Sequence, residues 1–167
     1  MLIKTVKFQK KYDRTKFDCG VETLNKYIKE QVSTQVKIKS AACFLAISED
    51  DQIVGYYTVS ASSMPLKDLS EELRKKMPRY PSVPVFLIGR LAIDKLFKGK
   101  GLGGGLLIEA LLKCLELSEE VGACAVVVDV NNDEAKQFYQ KYDFKAFEDN
   151  PNSMYIPMSE IKELCSE

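Results

Sequence analysis

Apolar positions along the chain recur with a period of two in some stretches and of three to four in others, and the two periods mark out strands and helices. Leu2–Phe8 alternates apolar and polar residues and predicts a first strand. Val21, Leu24, Tyr27 and Ile28 share one face of a helix predicted over Val21–Gln31, and a less apolar helix is expected over roughly Ser33–Ser40. Phe44–Ile47 and Ile53–Ser60, on either side of the polar turn Ser48–Gln52, read as a hairpin. Ala61–Pro84 then holds four prolines and a short charged piece, Ser70–Lys76. So long a connection in a compact domain tends to be functional or mobile.

The next stretch organises the rest. Val85–Ile93 is an apolar run broken only by Gly89-Arg90, as expected for a strand buried on both faces. A glycine inside such a strand marks a bulge or the close approach of another backbone. Lys98 to Gly105 follows with five of the nine glycines in the chain. Beyond it Leu106, Leu107, Ala110, Leu111, Cys114 and Leu115 form a wide helical stripe, with Glu109 and Lys113 spaced i,i+4 on the outer face. Cys124–Val130 predicts another buried strand. Asn131-Asn132-Asp133 offers good capping residues for a short helix ending near Tyr142, and Phe144–Phe147 and Met154–Met158 complete the sheet. The order β-α-α-β-β-excursion-β-α-β-α-β-β predicts a single α/β (α+β) domain over residues 1–167, one sheet with helices on both sides.

Composition narrows the chemistry. At 167 residues and 46% hydrophobic content, one domain with a sizeable core is expected. Histidine is absent, which excludes Ser-His-Asp and Cys-His catalysis and removes the commonest metal ligand. Proton chemistry is left to carboxylates, Tyr, Cys, Lys, backbone or water. Five cysteines show no metal-like spacing, so no metal is expected, and Cys43, Cys114 and Cys124 look like small core residues. Met1–Phe8 lacks the apolar core of a secretory leader, and no apolar run is long enough to span a membrane. A reduced, cytoplasmic location is the expectation.

The formal charge of zero conceals a split. Residues 1–100 carry 19 Lys and Arg against 11 Asp and Glu, a net of +8, and residues 101–167 carry 5 against 13, a net of −8. Cations gather at Lys4, Lys7, Lys10, Lys11, Arg14 and Lys16, and again at Arg74, Lys75, Lys76 and Arg79. Such asymmetry fits one face for a polyanion and another for a cationic partner, and it equally fits lysines scattered over a solvated surface.

Glycines let successive N–H groups converge without Cβ obstruction, and a helix start adds unpaired N–H groups and the positive end of its dipole. Strand, glycine-dense turn and helix therefore make an anion cradle suited to a diphosphate, although a flexible tight turn uses the same residues. A Walker loop is excluded, because no Lys-Ser or Lys-Thr follows the glycines. Gly99 to Gly104 fits a dinucleotide fingerprint loosely, with Asp129 at a tolerable distance, which leaves NAD as a competitor.

Lys98-Gly99-Lys100-Gly101-Leu102-Gly103 resembles the coenzyme A signature of the GNAT N-acetyltransferases, Gln/Arg-x-x-Gly-x-Gly/Ala after a buried strand, with Lys in place of Gln or Arg. Ala135 to Phe144 is similar to the AxxFYxxxGF segment of that family, with Asp143 in place of the usual glycine. Phe17-Asp18-Cys19-Gly20 with Leu24-Asn25-Lys26-Tyr27 resembles a subfamily opening, FxCGxxxLNxYL. Val54–Ser60 and Pro84–Asp94 resemble its IVGYYTLS and IPVxLLGRLAVD strands. That subfamily comprises the acetyltransferase toxins of toxin–antitoxin modules.

The resemblance implies a GNAT fold, a mixed, mostly antiparallel sheet of six to seven strands flanked by about four helices. It implies acetyl-CoA as cosubstrate, aminoacyl-tRNA as acceptor and a ribbon-helix-helix antitoxin as partner, and it is compatible with a homodimer and with no membrane. Tyr139 is then the general acid for the departing thiolate, and Arg90 lies beside the thioester facing the acceptor. Leu91, Ala92 and Ile93 on the strand, Lys98, Gly99, Lys100, Gly101, Gly103 and Gly104 in the turn, and Asn131 and Phe138 are the expected cofactor contacts. Phe138, Tyr142 and Phe144 also read as core. Transfer to a small amine such as a polyamine or amino-sugar, or a non-catalytic module with a degenerate coenzyme A site, fits the same residues.

Overall fold

A computed structural model describes residues 2–166. Seven strands form one sheet in the order β1-β2-β3-β4-β5-β7-β6. They are β1 (Ile3–Lys7), β2 (Ala42–Ser48), β3 (Ile53–Pro65), β4 (Ser82–Ile93), β5 (Ala125–Asp129), β6 (Lys145–Ala146) and β7 (Ser153–Pro157). β1 pairs antiparallel with β2 from Ile3↔Ser48 to Lys7↔Phe44, and β5 with β7 from Ala125↔Pro157 to Asp129↔Ser153. β2 and β3 make the expected hairpin, with a register shift at Ala46/Ile47. Opposite that shift lies Gly55, where an added Cβ would stand 2.5 Å from the Ala92 carbonyl oxygen. Only glycine lets β3 and β4 approach so closely.

The chain forms two compact units, one from its start to Ser60 with Ile88–Ala110, the other from Ala61–Leu87 with Leu111 onward. In the first, Tyr12, Phe17, Tyr27, Ile28, Val32 and Tyr56 pack on the inward residues of β2. In the second, Met64, Leu69, Val83, Val85, Val127 and Tyr155 form the core. Each fully buried aliphatic or aromatic side chain contributes about 1.5–3 kcal/mol of transfer free energy.

The two helices expected between β1 and β2 are one continuous run. α1 (Glu22–Lys26) passes into a π-helical turn (Tyr27–Gln31) and then into α2 (Val32–Lys37). The Val32 N–H bonds the Tyr27 carbonyl, five residues back, so Tyr27, Ile28 and Val32 are all buried while Gln31 is exposed. An α-helical spacing of four would have brought Gln31 inward instead.

The proline-rich excursion is held in place. β3 continues to Pro65, a short turn and α3 (Glu71–Arg74) follow, and β4 begins at Ser82. Within this second unit the Ser70 N–H donates to Tyr155 Oη at 2.8 Å, and buried Asp68 accepts from the Asp149 N–H at 2.9 Å. α4 (Leu102–Ser118) starts inside the glycine run, earlier than its apolar stripe indicates. α5 (Asp133–Gln140) is capped by Asn132, whose Oδ1 accepts from the Ala135 N–H at 2.8 Å. α6 (Met158–Cys165) was not anticipated, because Met154–Met158 reads as the end of a strand. Among the described residues, no helix is long and apolar enough to cross a membrane.

Candidate active site

In the first unit β4 ends in an acidic anchor. The Asp94 N–H donates to the Val54 carbonyl at 2.8 Å, and its carboxylate accepts from the N–H groups of Leu96 at 2.9 Å and Asp18 at 3.1 Å. Asp18 in turn pairs with Lys95 Nζ at 2.8 Å and accepts from Gly20 N–H and Asn25 Nδ2. These donors, Lys95 foremost, hold the Asp18 carboxyl well below the ordinary carboxylate range. Asn25 Oδ1 accepts from the Cys19 N–H at 2.9 Å, and Lys98 Nζ donates to the Cys19 carbonyl at 2.6 Å. Segment 17–20 is thus a strap that fixes residues 94–98 at the entrance to the glycine turn.

The turn itself uses conformations that favour glycine. Gly99 and Gly101 have φ of +81° and +74°, and an added Cβ at either would meet nothing within 4 Å. The backbone there is bare and open. α4 begins at once, its first closing bond running from the Gly105 N–H to the Gly101 carbonyl at 3.2 Å. The N–H groups ahead of it have no partner within the helix and carry its positive end. An apolar gap of about 190 Å³ between β1–β3 and α4 shares Leu102 and Gly105 with this turn, but its lining is suited to packing rather than to charge.

On β4, just before the turn, the Arg90 guanidinium lies 3.7 Å from the centre of the Tyr27 ring. Tyr27 stacks on Tyr56 at 5.9 Å, and Tyr56 Oη donates to the Leu24 carbonyl at 2.6 Å. The buried Tyr27 hydroxyl has no hydrogen-bond partner among the described residues. A π-helical turn thus supplies the aromatic platform on which a half-buried cation rests.

In the second unit α5 carries Tyr139. Its ring packs against Phe138 at 5.1 Å and Phe144 at 5.2 Å, and burial pushes its hydroxyl up to about 12. Asp143 closes the helix with φ +67°, the left-handed position for which the family pattern uses glycine. Phe144 is buried, whereas Phe138 and Tyr142 are only half-buried.

Residues 11–162 match the model of the acetyltransferase (GNAT) domain. The chain belongs to the GNAT acetyltransferase family. The GNAT chain is 30% identical over 155 residues to a tRNA-acetylating toxin of Mycobacterium tuberculosis (strain ATCC 25618 / H37Rv), covering 93% of this chain and 92% of that protein. Its fold matches AtaT complexed with acetyl-methionyl-tRNAfMet with a TM-score of 0.90 and 28% identity, over 97% of this chain and 98% of that one. It also matches an AtaT tyrosine-to-phenylalanine mutant bound to the C-terminus of the antitoxin AtaR and acetyl-CoA, with a TM-score of 0.83 and 25% identity over 99% of each chain.

In this GNAT chain Arg90, Leu91, Ala92 and Ile93 occupy the end of β4, and Lys98, Gly99, Lys100 and Gly101 form the turn. Gly103 and Gly104 stand in the first turn of α4 rather than in a loop. Phe138 and Tyr139 share α5, and exposed Asn131 immediately precedes its cap. Lys98 is committed to Cys19, and Lys100 lies 5.8 Å from the centre of the Phe97 ring. Periodicity assigned Asn25 and Tyr27 only to a helix, while the structure gives them the strap and the platform. Their signal lay in the spacing of Asp18, Cys19, Asn25 and Tyr27, which fits one helix entry.

Proposed function

We propose that the chain is the toxin of a toxin–antitoxin pair and transfers the acetyl group of acetyl-CoA to the amino group of an aminoacyl-tRNA, thereby withdrawing that tRNA from translation. The observation that carries this reading is the match over almost the whole chain to AtaT holding an acetylated aminoacyl-tRNA. The M. tuberculosis relative supports it independently. A ribbon-helix-helix antitoxin is the protein partner we assign, and the cytoplasm, where charged tRNA is used, is the place of action.

The residues fit acetyl-CoA. The open backbone at Gly99 and Gly101 and the start of α4 suit a diphosphate, which a Cβ in the same place would obstruct. Acetyl-CoA supplies an activated thioester carbonyl. The Leu91–Ile93 backbone of β4 would offer N–H donors to its oxygen as the C–N bond forms. Tyr139 Oη would give its proton to the departing thiolate as the C–S bond breaks, while the amine loses a proton to water. Tyr139 carries its proton at working pH, as an acid must, and burial moves its titration further above that range. Arg90, fixed over Tyr27, would hold the acceptor side. None of these steps needs histidine.

The test is label transfer from acetyl-CoA to total charged tRNA, with uncharged tRNA and spermidine as controls. Label on charged tRNA alone is the expected result. Label on spermidine alone would leave an acetyltransferase with a different acceptor.

A further inference from the structure

A groove of about 470 Å³ lies on the first unit, lined by Lys10, Lys11, Arg14, Lys29, Asp13 and Thr15 around the Tyr12 ring. Four of these residues are cationic and one is acidic, and the acid is already engaged. Asp13 Oδ1 accepts from the N–H of Thr15 at 2.9 Å and from its hydroxyl at 2.6 Å. The ion pairs of the described residues use Lys67, Lys75, Lys95, Lys113 and Lys145, and none uses a cation of this groove. Four unneutralised cations lining one groove repel one another, a cost that a bound polyanion would remove.

Arg14 is held in advance. Its Nη1 donates to the Ile28 carbonyl at 3.1 Å, and its guanidinium sits 5.2 Å from the centre of the Phe8 ring. With its stem fixed and no ion pair among the described residues, it presents a planar fork of the kind that matches a phosphate. Lys11 lies 5.2 Å from the centre of the Tyr12 ring. Lys10 and Lys29 are exposed and make no ion pair among the described residues.

The groove is also continuous with the candidate acceptor side. Lys29, and Ile28, to which Arg14 is tied, belong to the same π-helical turn as Tyr27. That turn offers Tyr27 to Arg90 on its buried side and Lys29 to the groove on its exposed side. We infer that the groove formed by Lys10, Lys11, Arg14 and Lys29 grips the phosphate backbone of the acceptor RNA and so sets where the aminoacyl end lies relative to Arg90. This rests on the aminoacyl-tRNA reading above. Its place beside the turn that carries Tyr27 and Arg90 favours the acceptor RNA over an acidic protein segment, and the test separates the two.

The test compares the wild type with Lys10→Gln/Lys29→Gln, two exposed positions whose loss leaves the fold intact. Binding of labelled total tRNA is measured from about 50 to 200 mM salt, the range over which phosphate contacts are resolved. The double variant should bind on the order of tenfold more weakly, with a log–log salt slope smaller by about 2. In label transfer its KM for charged tRNA should rise with kcat held, and its acetyl-CoA affinity should match the wild type. Equal slope and equal KM in the two proteins would overturn the assignment. So would wild-type binding to a polyglutamate peptide in place of tRNA, which would mark a protein-docking surface. If tRNA binds with the expected difference but receives no label, the groove stands and the acceptor reading falls.

Discussion

Gly101 and Tyr139 are the residues on which the reading is most exposed to test. Gly101 combines φ +74° with empty space where a side chain would start. A β-branched residue there is strained by about 1–3 kcal/mol and would project into the cradle. Gly101→Val should therefore abolish acetyl-CoA binding in calorimetry. Gly122→Ala, at a glycine with equally open surroundings and no positive φ, should leave it unchanged. Tyr139→Phe removes one oxygen from an aromatic cluster that otherwise stays packed. Its kcat should fall by on the order of 100-fold, with the affinity for acetyl-CoA retained. Because the hydroxyl is held up to about 12, that deficit should be the same at every pH between about 6 and 9. Undiminished kcat would remove the general-acid role.

Among the elements, the strap at 17–20 and the helix after it deserve the closest measurement. Asn25→Ala would leave the buried Cys19 N–H without its acceptor and take one of three donors from Asp18, at a cost of about 1–3 kcal/mol. The urea midpoint should drop at unchanged slope, and acetyl-CoA should bind more weakly although Asn25 is not an expected ligand contact. Unaltered acetyl-CoA affinity would show that the strap does not set the turn. Legibility in the sequence divides along the same line. The strands, the hairpin, the glycine turn and α5 were readable because each follows from a period or a cap within a few residues. The bond from Asp18 N–H to Asp94 joins residues 76 apart, and nothing local to either announces it. α6 escaped because its first residue, Met158, ends the apolar run Met154–Met158, and Pro157 before it offers no side-chain cap to mark a helix start. Tyr139 is a candidate only through its motif, since composition alone gives a phenol no role.

Across the whole molecule, titration sets the pH limits of the fold. Burial pushes the Cys43 and Cys114 thiols and the Tyr139 hydroxyl up to about 12. Below the ordinary values of about 8.5 for a thiol and 10 for a phenol, these groups are protonated in both folded and unfolded chains. Above them the unfolded chain ionises first, so stability is lost progressively until about 12. The melting temperature, with respect to these groups, should be level from about pH 6 to 8 and decline from about pH 9 upward, and Cys114→Ala should flatten part of that decline. The π-helical turn has a different kind of consequence. Between Tyr27 and Val32 the chain carries one residue more than a regular helix needs. Removing Gln31 would set Val32 four residues after Tyr27, restoring an ordinary helix with both side chains still on its buried face. The helix thus absorbs a surplus residue on its outer side without moving the face that carries Tyr27, a tolerance that a substitution scan at constant length would pass over.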